Sequence, residues 1–330
     1  MIDLTEVTLS TASATLRLAP DRGGEITFFG GPDGRNALAY YDWDTPLSAD
    51  SGPSYGSSEL DWLSRYRAGW QFLFPNSGAE STALGIPVAF HGETSLAPVT
   101  VVRTTMDSCT IRTTARLPLE LTRTIRLAPD APTVYIEQSV TNVGSVDTPF
   151  VWGHHPTFPA VPGAHIDLPE GVGVSVEGAS AGGLNPSEFV WPLARKIDGT
   201  PDDVSIVPED PTLRLLYLRD LPAGWVALRN PPGSEVPGVG MSWDVSAYPF
   251  MWLWLQNGDP GFPWFGRAKI IGLEPQRAWP FDGLAGAVSR EQAVVLTPGR
   301  TAGSWLTMTL LPPDMAAVAS IDRSGRVSHA

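Results

Sequence analysis

Glycine and proline interrupt this chain at short intervals, and this spacing restricts it to short elements of secondary structure. Its 330 residues include 33 glycines and 32 prolines, and both residue types end helices and strands. Between them lie runs of about 5 to 9 residues with strand-like composition, such as residues 99–103, 119–127 and 133–140. Closely spaced strands of this kind are typical of an antiparallel meander. The prediction is an all-β fold, a large antiparallel β-sandwich.

The chain reads as one domain spanning residues 1–330. It contains no internal repeat, no heptad pattern and no linker that would mark a boundary. Residues 14–18 and 25–29 predict an opening hairpin, and residues 59–63 a short helical turn. The last predicted strand is 305–311, and the tail from about residue 315 is expected to be weakly structured. A chain of this length buries roughly three quarters of its unfolded surface, so it needs no disulfide or metal to hold it together.

Charge and cysteine usage narrow the range of partners. The formal net charge is -13, with 22 Lys and Arg against 35 Asp and Glu, which argues against nucleic acid and against an anionic membrane. Acidic residues stand where a signal peptide needs positive charge, and no apolar run is long enough to span a bilayer. Cys109 is the only cysteine. We expect a cytoplasmic monomer or homodimer that binds a small molecule.

One carboxylate stands out in the strand-like stretch of residues 269–276. Here an apolar run leads to Glu274, and Pro275 is predicted to end the strand pairing. A carboxylate at the end of a buried strand is costly unless it is hydrogen-bonded or used. Glu274 is therefore either a strand-end residue that satisfies backbone donors or a functional group.

Three histidines are possible functional partners of Glu274. His91, His154 and His155 lie where predicted strands give way to loops, and aromatic residues flank them. The adjacent pair must point to opposite faces of an extended backbone, so the two rings cannot chelate a metal together. Because no metal-ligand or nucleotide-binding spacing occurs either, no metal and no cofactor are expected. These residues favour an acid/base site for a neutral polar ligand.

Four motifs in order carry a family resemblance. Residues 72–78, 87–93, 152–158 and 272–275 resemble those of the aldose 1-epimerase (galactose mutarotase-like) family, in the branch with a Gly-His-His-Pro motif. The resemblance covers about residues 10–312. It implies the galactose mutarotase-like supersandwich, with a sugar-binding cleft on one concave sheet, no cofactor and a free sugar as the small-molecule substrate.

The resemblance also implies roles for individual residues. Glu274 matches the general base that takes the proton from the anomeric hydroxyl, and His155 matches the general acid that protonates the ring oxygen. His91 resembles the second histidine, which positions the ring oxygen or a neighbouring hydroxyl. The remaining substrate-binding candidates are Arg67, Asn76, Trp152, Asp244 and Trp254.

The strand-like run 250–256 supports the choice of Trp254. Trp252, Trp254 and Gln256 share one face of this strand. The two tryptophans are either core residues, or one of them forms the floor of the cleft.

The favoured function is an aldose 1-epimerase that interconverts the α and β anomers of a free aldose. One alternative is a non-catalytic carbohydrate-binding protein. Another is a glycoside hydrolase or lyase, which would normally need a second carboxylate; Glu93 and Asp244 are available. Residues 178–182 match a nucleophile elbow, but their Gly- and Ser-rich flanks lack the strand and helix which that motif needs. A phosphorylated sugar is disfavoured because no Lys/Arg cluster accompanies the motifs; dispersed arginines such as Arg67 and Arg277 would have to converge to bind one.

Overall fold

Strands dominate the computed structural model, which describes residues 6–41 and 56–329. The first twelve strands are β1 Val7–Ser10, β2 Thr15–Ala19, β3 Glu25–Gly30, β4 Trp70–Leu73, β5 Ser81–Ala83, β6 Ile86–Val88, β7 Thr100–Thr104, β8 Ser108–Thr114, β9 Leu119–Leu127, β10 Thr133–Asn142, β11 Thr148–Phe150 and β12 Gly153–Pro159. The others are β13 His165–Asp167, β14 Gly173–Ala181, β15 Phe189–Val190, β16 Leu193–Arg195, β17 Pro201–Asp203, β18 Thr212–Arg219, β19 Trp225–Arg229, β20 Gly238–Trp243, β21 Phe250–Asn257, β22 Lys269–Gln276, β23 Val294–Leu296, β24 Thr301–Leu311, β25 Val318–Ile321 and β26 Val327–His329. The helices are α1 Ser58–Arg65, the 3₁₀ helix Glu93–Ser95 and α2 Gly283–Ser289.

Two large antiparallel sheets form the body of the molecule. The ten-stranded sheet has the order β1-β2-β3-β4-β12-β22-β21-β18-β14-β15, and the eight-stranded sheet has the order β13-β19-β20-β24-β10-β9-β8-β7. The strand pairs within both sheets run antiparallel. The predicted all-β antiparallel sandwich is confirmed.

The main core lies between the two sheets. In β9, Leu119, Leu121, Ile125 and Leu127 are buried, and the residues between them are mostly more exposed. This two-residue period is what one buried face and one solvent face require. At β9 the eight-stranded sheet therefore faces the core on one side and is more exposed on the other.

The centre of the ten-stranded sheet is buried on both faces. Every residue of β22 after Lys269 is buried, as is every residue of β12 before Pro159. Successive side chains in these strands point to opposite faces. One face contacts the main core, and the other lies beneath an outer aromatic cluster that includes Trp62, Tyr66 and Trp264. The outer compartment holds the candidate site.

Two local predictions are confirmed. The opening hairpin is β2 paired with β3, and the helical turn predicted at residues 59–63 lies within α1. This helix begins after Ser57, whose hydroxyl accepts a hydrogen bond from the Leu60 N–H at 3.4 Å and so caps the first turn. Among the described residues, no helix is long and apolar enough to cross a membrane.

The tail differs from the expectation of weak structure. Strands β25 and β26 pair as a hairpin, and Val318 and Ile321 are buried against Trp225 and Leu311. The Asp322 carboxylate accepts the Ser324 N–H in the connecting turn. Two apolar residues three apart, too few to reveal a strand in the sequence, are sufficient to dock this hairpin.

Candidate active site

The adjacent histidines of β12 face opposite sides of the ten-stranded sheet. On the core side, the His154 Nδ1 accepts a hydrogen bond from the Trp70 indole at 3.2 Å, and its Nε2 lies 2.9 Å from the Gln138 amide nitrogen. On the outer side, the His155 Nε2 lies 3.4 Å from the Glu274 Oε1. His154 therefore belongs to a structural hydrogen-bond network, and His155 faces the carboxylate.

Glu274 lies inside β22 rather than at a strand end. Pro275 does not end the strand, because the ladder between β22 and β12 already has no pairs over residues 273–275. A proline, which lacks an N–H, is tolerated where the pairing is interrupted. Glu274 meets His155 at this gap. His155 also lies within a strand and not, as predicted, at a strand end.

The side-chain amide of Gln276 orients the Glu274 carboxylate. The Gln276 Nε2 lies 3.3 Å from the Glu274 Oε2, and the Gln276 Oε1 accepts a hydrogen bond from the Ser77 hydroxyl at 2.7 Å. The chain passes close to this amide at Gly153, where an added Cβ would lie 1.8 Å from the Gln276 Oε1. Ser77 and Gly153 thus hold Gln276 so that it donates to Glu274.

His91 enters the site from the loop after β6. Its backbone has a φ of 56°, which is uncommon for a residue other than glycine. The Gly78 N–H donates to its Nδ1 at 3.1 Å, so the neutral ring carries its proton on Nε2. Burial, and to a lesser extent His155, hold the pKa of His91 well below its usual range. The two imidazole centroids are 5.4 Å apart, and His91 is a neutral hydrogen-bond donor beside His155.

A relay of hydroxyls determines the tautomer of His155. Tyr66 follows α1, and its hydroxyl lies 3.4 Å from the His155 Nδ1 while donating to the Thr157 Oγ1 at 3.2 Å. The Thr157 hydroxyl in turn donates to the Gly69 carbonyl at 2.8 Å. Because the phenol proton is used by Thr157, the Tyr66 oxygen is left to accept the Nδ1–H. The Nε2 of neutral His155 is then unprotonated and faces Glu274.

Burial shifts the pKa values of the acid and the base in opposite directions. It raises the pKa of Glu274 well above its usual range, a shift that the Gln276 hydrogen bond partly opposes. Burial also lowers the pKa of His155 to about 4, although its own backbone carbonyl acts in the other direction. In both cases the low-dielectric surroundings disfavour the charged form. The shifts make the Glu274 carboxylate a stronger base and the His155 imidazolium a stronger acid.

The two residues open into a cleft of about 490 Å³. Seven aromatic side chains line it: Trp62, Phe90, Trp252, Trp254, Phe262, Trp264 and Phe281. Pockets for small ligands combine such apolar walls with a few polar groups that orient the ligand. The cleft suits a small polar ligand that has apolar faces.

All charged side chains that line the cleft are acidic. Besides Glu274 they are Glu59, Glu177 and Asp282, and no lysine or arginine is among the described lining residues. The undescribed stretch 42–55 contains neither residue type in its sequence. Within residues 6–41 and 56–329, no group of three or more His, Cys, Asp or Glu side chains could hold a metal ion. The lining offers no cation to an anionic ligand.

A larger hollow, of about 650 Å³, lies elsewhere and lacks this chemistry. Its charged lining residues are Asp33, Arg35 and Arg229, and Arg229 is bound to Asp167 through two hydrogen bonds. No histidine and no buried acid/base pair line it. The smaller cleft is therefore the candidate active site.

Of the substrate-binding residues predicted from sequence, Trp254 lines the cleft. Trp152 lies on the opposite face of the sheet, where its ring packs against Tyr248 and its indole donates to the Ala247 carbonyl at 3.2 Å. Side chains alternate between the two faces of the sheet, so Trp152, at an even-numbered position, faces away from the side on which His155, at an odd-numbered position, lies. Trp152 is a core residue.

Asn76, Asp244 and Arg67 are also absent from the described lining of the cleft. Asn76 is fully buried, and its amide bonds three backbone groups, those of Ala79, Ala89 and Leu284. Asp244 accepts two hydrogen bonds from Ser246 in the turn after β20. Burial raises the pKa of Glu25 to about 7, and the positive charge of Arg67 is one of the two arginine charges that partly oppose this shift. Asn76 and Asp244 hold loops in place.

Several residues that line the cleft or hold its acid/base pair were not singled out from the sequence. The Trp62 and Tyr66 rings are stacked with their centroids 4.6 Å apart, and Trp62 contacts both His91 and His155 edge to face. Their spacing of four residues at the predicted helical turn was the available signal. Gln276 was visible two residues after Glu274, on the same face of the strand.

Comparisons with known proteins show the fold. No family model matches the chain, and no curated protein matches it. A solved structure from Synechocystis sp. PCC 6803 is 19% identical with a TM-score of 0.67, covering 94% of this chain and 98% of that one. A "putative aldose 1-epimerase" from Klebsiella pneumoniae is 17% identical with a TM-score of 0.66, covering 93% and 79%. A galactose mutarotase-like protein from Clostridium acetobutylicum is 15% identical with a TM-score of 0.62, covering 93% and 95%.

Proposed function

We propose that this protein is an aldose 1-epimerase that interconverts the α and β anomers of a free aldose by opening and closing its ring. The observation that carries the proposal is the buried Glu274–His155 pair, 3.4 Å apart at the base of an aromatic cleft. The opposite pKa shifts of the two groups suit a base and an acid that act at the same time. The names of structurally similar proteins agree with this chemistry.

Ring opening removes one proton from the O1 hydroxyl and adds one proton to the ring oxygen O5. The Glu274 carboxylate takes the proton of the anomeric hydroxyl, a C1=O1 double bond forms, and the C1–O5 bond breaks. The reacting form of the pair is the ionised one, in which a proton has passed from Glu274 to the His155 Nε2 across their 3.4 Å contact. This Nε2–H gives its proton to O5, so no free alkoxide appears. An ionised pair becomes a neutral one, and its burial favours this direction.

Ring closure reverses both transfers. After rotation about C1–C2, the His155 Nε2 takes the proton back from the O5 hydroxyl, and O5 attacks the opposite face of C1. Glu274 then returns a proton to O1, which leaves the pair ready for another cycle. Throughout, the Nε2–H of His91 donates a hydrogen bond to a sugar oxygen, and Tyr66 and Thr157 keep the His155 ring in the orientation that directs Nε2 into the cleft.

The charge of the cleft selects an uncharged sugar. A phosphate or carboxylate on the substrate would meet Glu59, Glu177 and Asp282 without a lysine or arginine to compensate. Arg277, which directly follows β22, is not among the described lining residues and donates to the backbone carbonyls of Gln292 and Ser246. We therefore propose a free, unphosphorylated aldose.

The proposal is tested by measuring anomer exchange with the variant Glu274→Gln. NMR exchange spectroscopy on a panel of neutral aldoses should show acceleration by the wild-type protein. Glu274→Gln should slow it by at least about a hundredfold, because a positioned acid or base typically contributes about 10²–10⁴ in rate. The matched control is Glu137→Gln, an exposed residue paired with Arg323 far from the cleft, which should exchange at the wild-type rate.

The alternatives predict different outcomes. A non-catalytic carbohydrate-binding protein would bind sugars and leave their anomers exchanging at the buffer rate. A glycoside hydrolase or lyase would release a new reducing end from a glycoside, and hydrolysis requires a second carboxylate beside the scissile bond. In the structure an imidazole, and not a second carboxylate, lies against Glu274, which favours the epimerase.

A further inference from the structure

A second buried carboxylate lies in line with the proposed acid/base pair. Glu25 on β3 is only 2% exposed, and its Oε1 has no hydrogen-bond partner among residues 6–41 and 56–329. Its Oε2 lies 3.3 Å from the Arg22 guanidinium. A buried acid with an unsatisfied oxygen is destabilising, and the ring-opening step proposed above gives Glu25 no role. Its place in the sheet relates it to His155.

Four polar side chains form one row across the outer face of the ten-stranded sheet. The register of β3 with β4 places Glu25 opposite Gln71, and the register of β4 with β12 places Gln71 opposite His155. The register of β12 with β22 places His155 opposite Glu274. Residues directly opposite each other project from the same face, with Cβ atoms about 4.5–5.5 Å apart. His155 is therefore flanked by two carboxylates, Glu274 one strand away and Glu25 two strands away.

Gln71 occupies the position between Glu25 and His155. It is 3% exposed. Burial raises the pKa of Glu25 to about 7, and two arginine charges and a side-chain hydrogen bond with Gln71 partly oppose this rise. A hydrogen bond that lowers the pKa of an acid is donated to its carboxylate, so the Gln71 amide nitrogen serves Glu25. The Gln71 Oε1 has no partner within the described part of the chain. This oxygen is free to favour a positive charge on the next side chain of the row, His155.

The charged groups around the row come from several segments. Those that act on Glu25 are Arg22, Arg67 and Asp21. Tyr66 lies beside the row, with its hydroxyl 3.4 Å from the His155 Nδ1. Burial raises the pKa of Tyr66 well above its usual range, and the charges of Glu274 and Glu25 raise it further. On the cleft side, His155 faces Glu274 and His91. Both carboxylates thus act on the phenol that contacts His155.

An ionised Glu25 favours the reacting form of the pair. Two strand spacings place it about 10 Å from His155, and three place it about 14 Å from Glu274. At an effective dielectric constant of about 20, a negative charge at these distances attracts the imidazolium more than it repels the carboxylate. The balance shifts the pair toward its ionised form about threefold. The orientation of the Gln71 amide acts in the same direction.

We propose that Glu25 is a positioning residue that acts through Gln71 to stabilise the imidazolium form of His155, so that anomer exchange becomes faster when Glu25 ionises. Glu25 and Gln71 are absent from the described lining of the cleft, so neither touches the substrate. This inference rests on the proposed epimerase function, because that function makes His155 the acid.

The experiment follows kcat for anomer exchange of one neutral aldose from pH 5.5 to pH 8.5, in the wild type and in Glu25→Gln. The ratio of the wild-type value to the variant value should rise from about 1 to about 3, with its midpoint near the pKa of Glu25, about 7. Titration of the Glu274–His155 pair itself affects both proteins. A purely structural role of Glu25 would give a ratio without this step.

Two further variants sharpen the test. Arg22→Gln should move the midpoint to higher pH, because the Arg22 charge partly opposes the effect of burial on Glu25. Asp167→Asn is the matched control: it removes another partly buried, arginine-paired acid, in the eight-stranded sheet. This control should keep the wild-type pH profile. If Glu25→Gln does not fold, the pH profile of Arg22→Gln decides, and an unchanged midpoint refutes the proposal.

The outcomes separate this proposal from the proposed function. If the wild type accelerates exchange but its ratio to Glu25→Gln is constant with pH, the coupling is refuted and the epimerase stands. If no sugar is accelerated, the epimerase fails, and nitrogen-15 NMR shifts of the His155 ring decide the coupling. A step near pH 7 in the wild type that Glu25→Gln lacks would support it, and identical titrations would refute it.

Discussion

Gly272 leaves the space that the carboxylate of Glu274, the proposed general base, occupies. Gly272 and Glu274 are two residues apart on β22, so their side chains project from the same face of the strand. The Glu274 side chain folds back over the glycine, and a Cβ added there would lie 2.4 Å from the Oε1. Gly272→Ala should therefore displace the carboxylate without altering its chemistry.

The displacement follows from the distances. A Cβ in ordinary van der Waals contact lies at least 3.4 Å from its neighbour, so the oxygen must retreat by about 1 Å. The same oxygen lies 3.4 Å from the His155 Nε2. A misplacement of about 1 Å in a catalytic group costs about 10²-fold in rate. Because the colliding atom is the end of a side chain and not backbone, we expect the free energy of unfolding to change by less than about 1 kcal/mol.

Anomer exchange by NMR and unfolding in urea, measured on the same preparation, test this prediction. The matched control is Gly303→Ala in the eight-stranded sheet, where the added Cβ meets only the Gln138 carbonyl at 3.5 Å. This variant should retain both activity and stability. If Gly272→Ala exchanges anomers at the wild-type rate, the position of the Glu274 carboxylate does not limit catalysis, and the proposed role of that oxygen is refuted.

Two further predictions concern the adjacent histidines and a buried acid. His155→Gln should slow anomer exchange at least about a hundredfold. His154→Ala should instead lower the free energy of unfolding by about 3 kcal/mol and leave the folded protein active. Urea unfolding and NMR exchange on both variants check this, and the reverse pattern would contradict it. Burial raises the pKa of Glu25 to about 7, which the charge of Arg22, 3.3 Å away, partly opposes. Between pH 4.5 and 7 the unfolded chain loses the Glu25 proton while the folded protein keeps it, so the free energy of unfolding falls as pH rises. The wild type should lose about 3 kcal/mol relative to Glu25→Gln between pH 4.5 and 8. If urea unfolding gives the two proteins the same change of free energy over this pH range, the prediction is refuted.

The opposite orientations of the two adjacent histidines could be predicted from the sequence because local backbone geometry controls them, whereas the family resemblance selected His155 as the proposed partner of Glu274. In a strand, residues 154 and 155 must point to opposite faces whatever surrounds them, and the structure places His155 with Glu274. Trp252, Trp254 and Gln256 share a face for the same reason, and all three line the cleft.

The remaining substrate-binding candidates show where this reasoning stops. Trp152 and Asn76 lie within two of the four motifs, but membership of a motif does not determine the face on which a side chain lies. Asn76 bonds backbone groups from three separate segments, and a local pattern cannot reveal partners so distant. Tyr66 was missed because its partners, His155 and Thr157, lie about ninety residues away in the chain.

The amino-acid sequence by itself determined that this chain forms short antiparallel strands, since glycine and proline spacing and the two-residue period are local properties. It also determined which side chains share a face within each strand. Only the tertiary structure decided that His91 meets His155 and Glu274, and that α1 covers them. The shifted pKa values of Glu274, His91 and His155 follow from this packing, because desolvation depends on everything packed around a group and not on its neighbours in the chain.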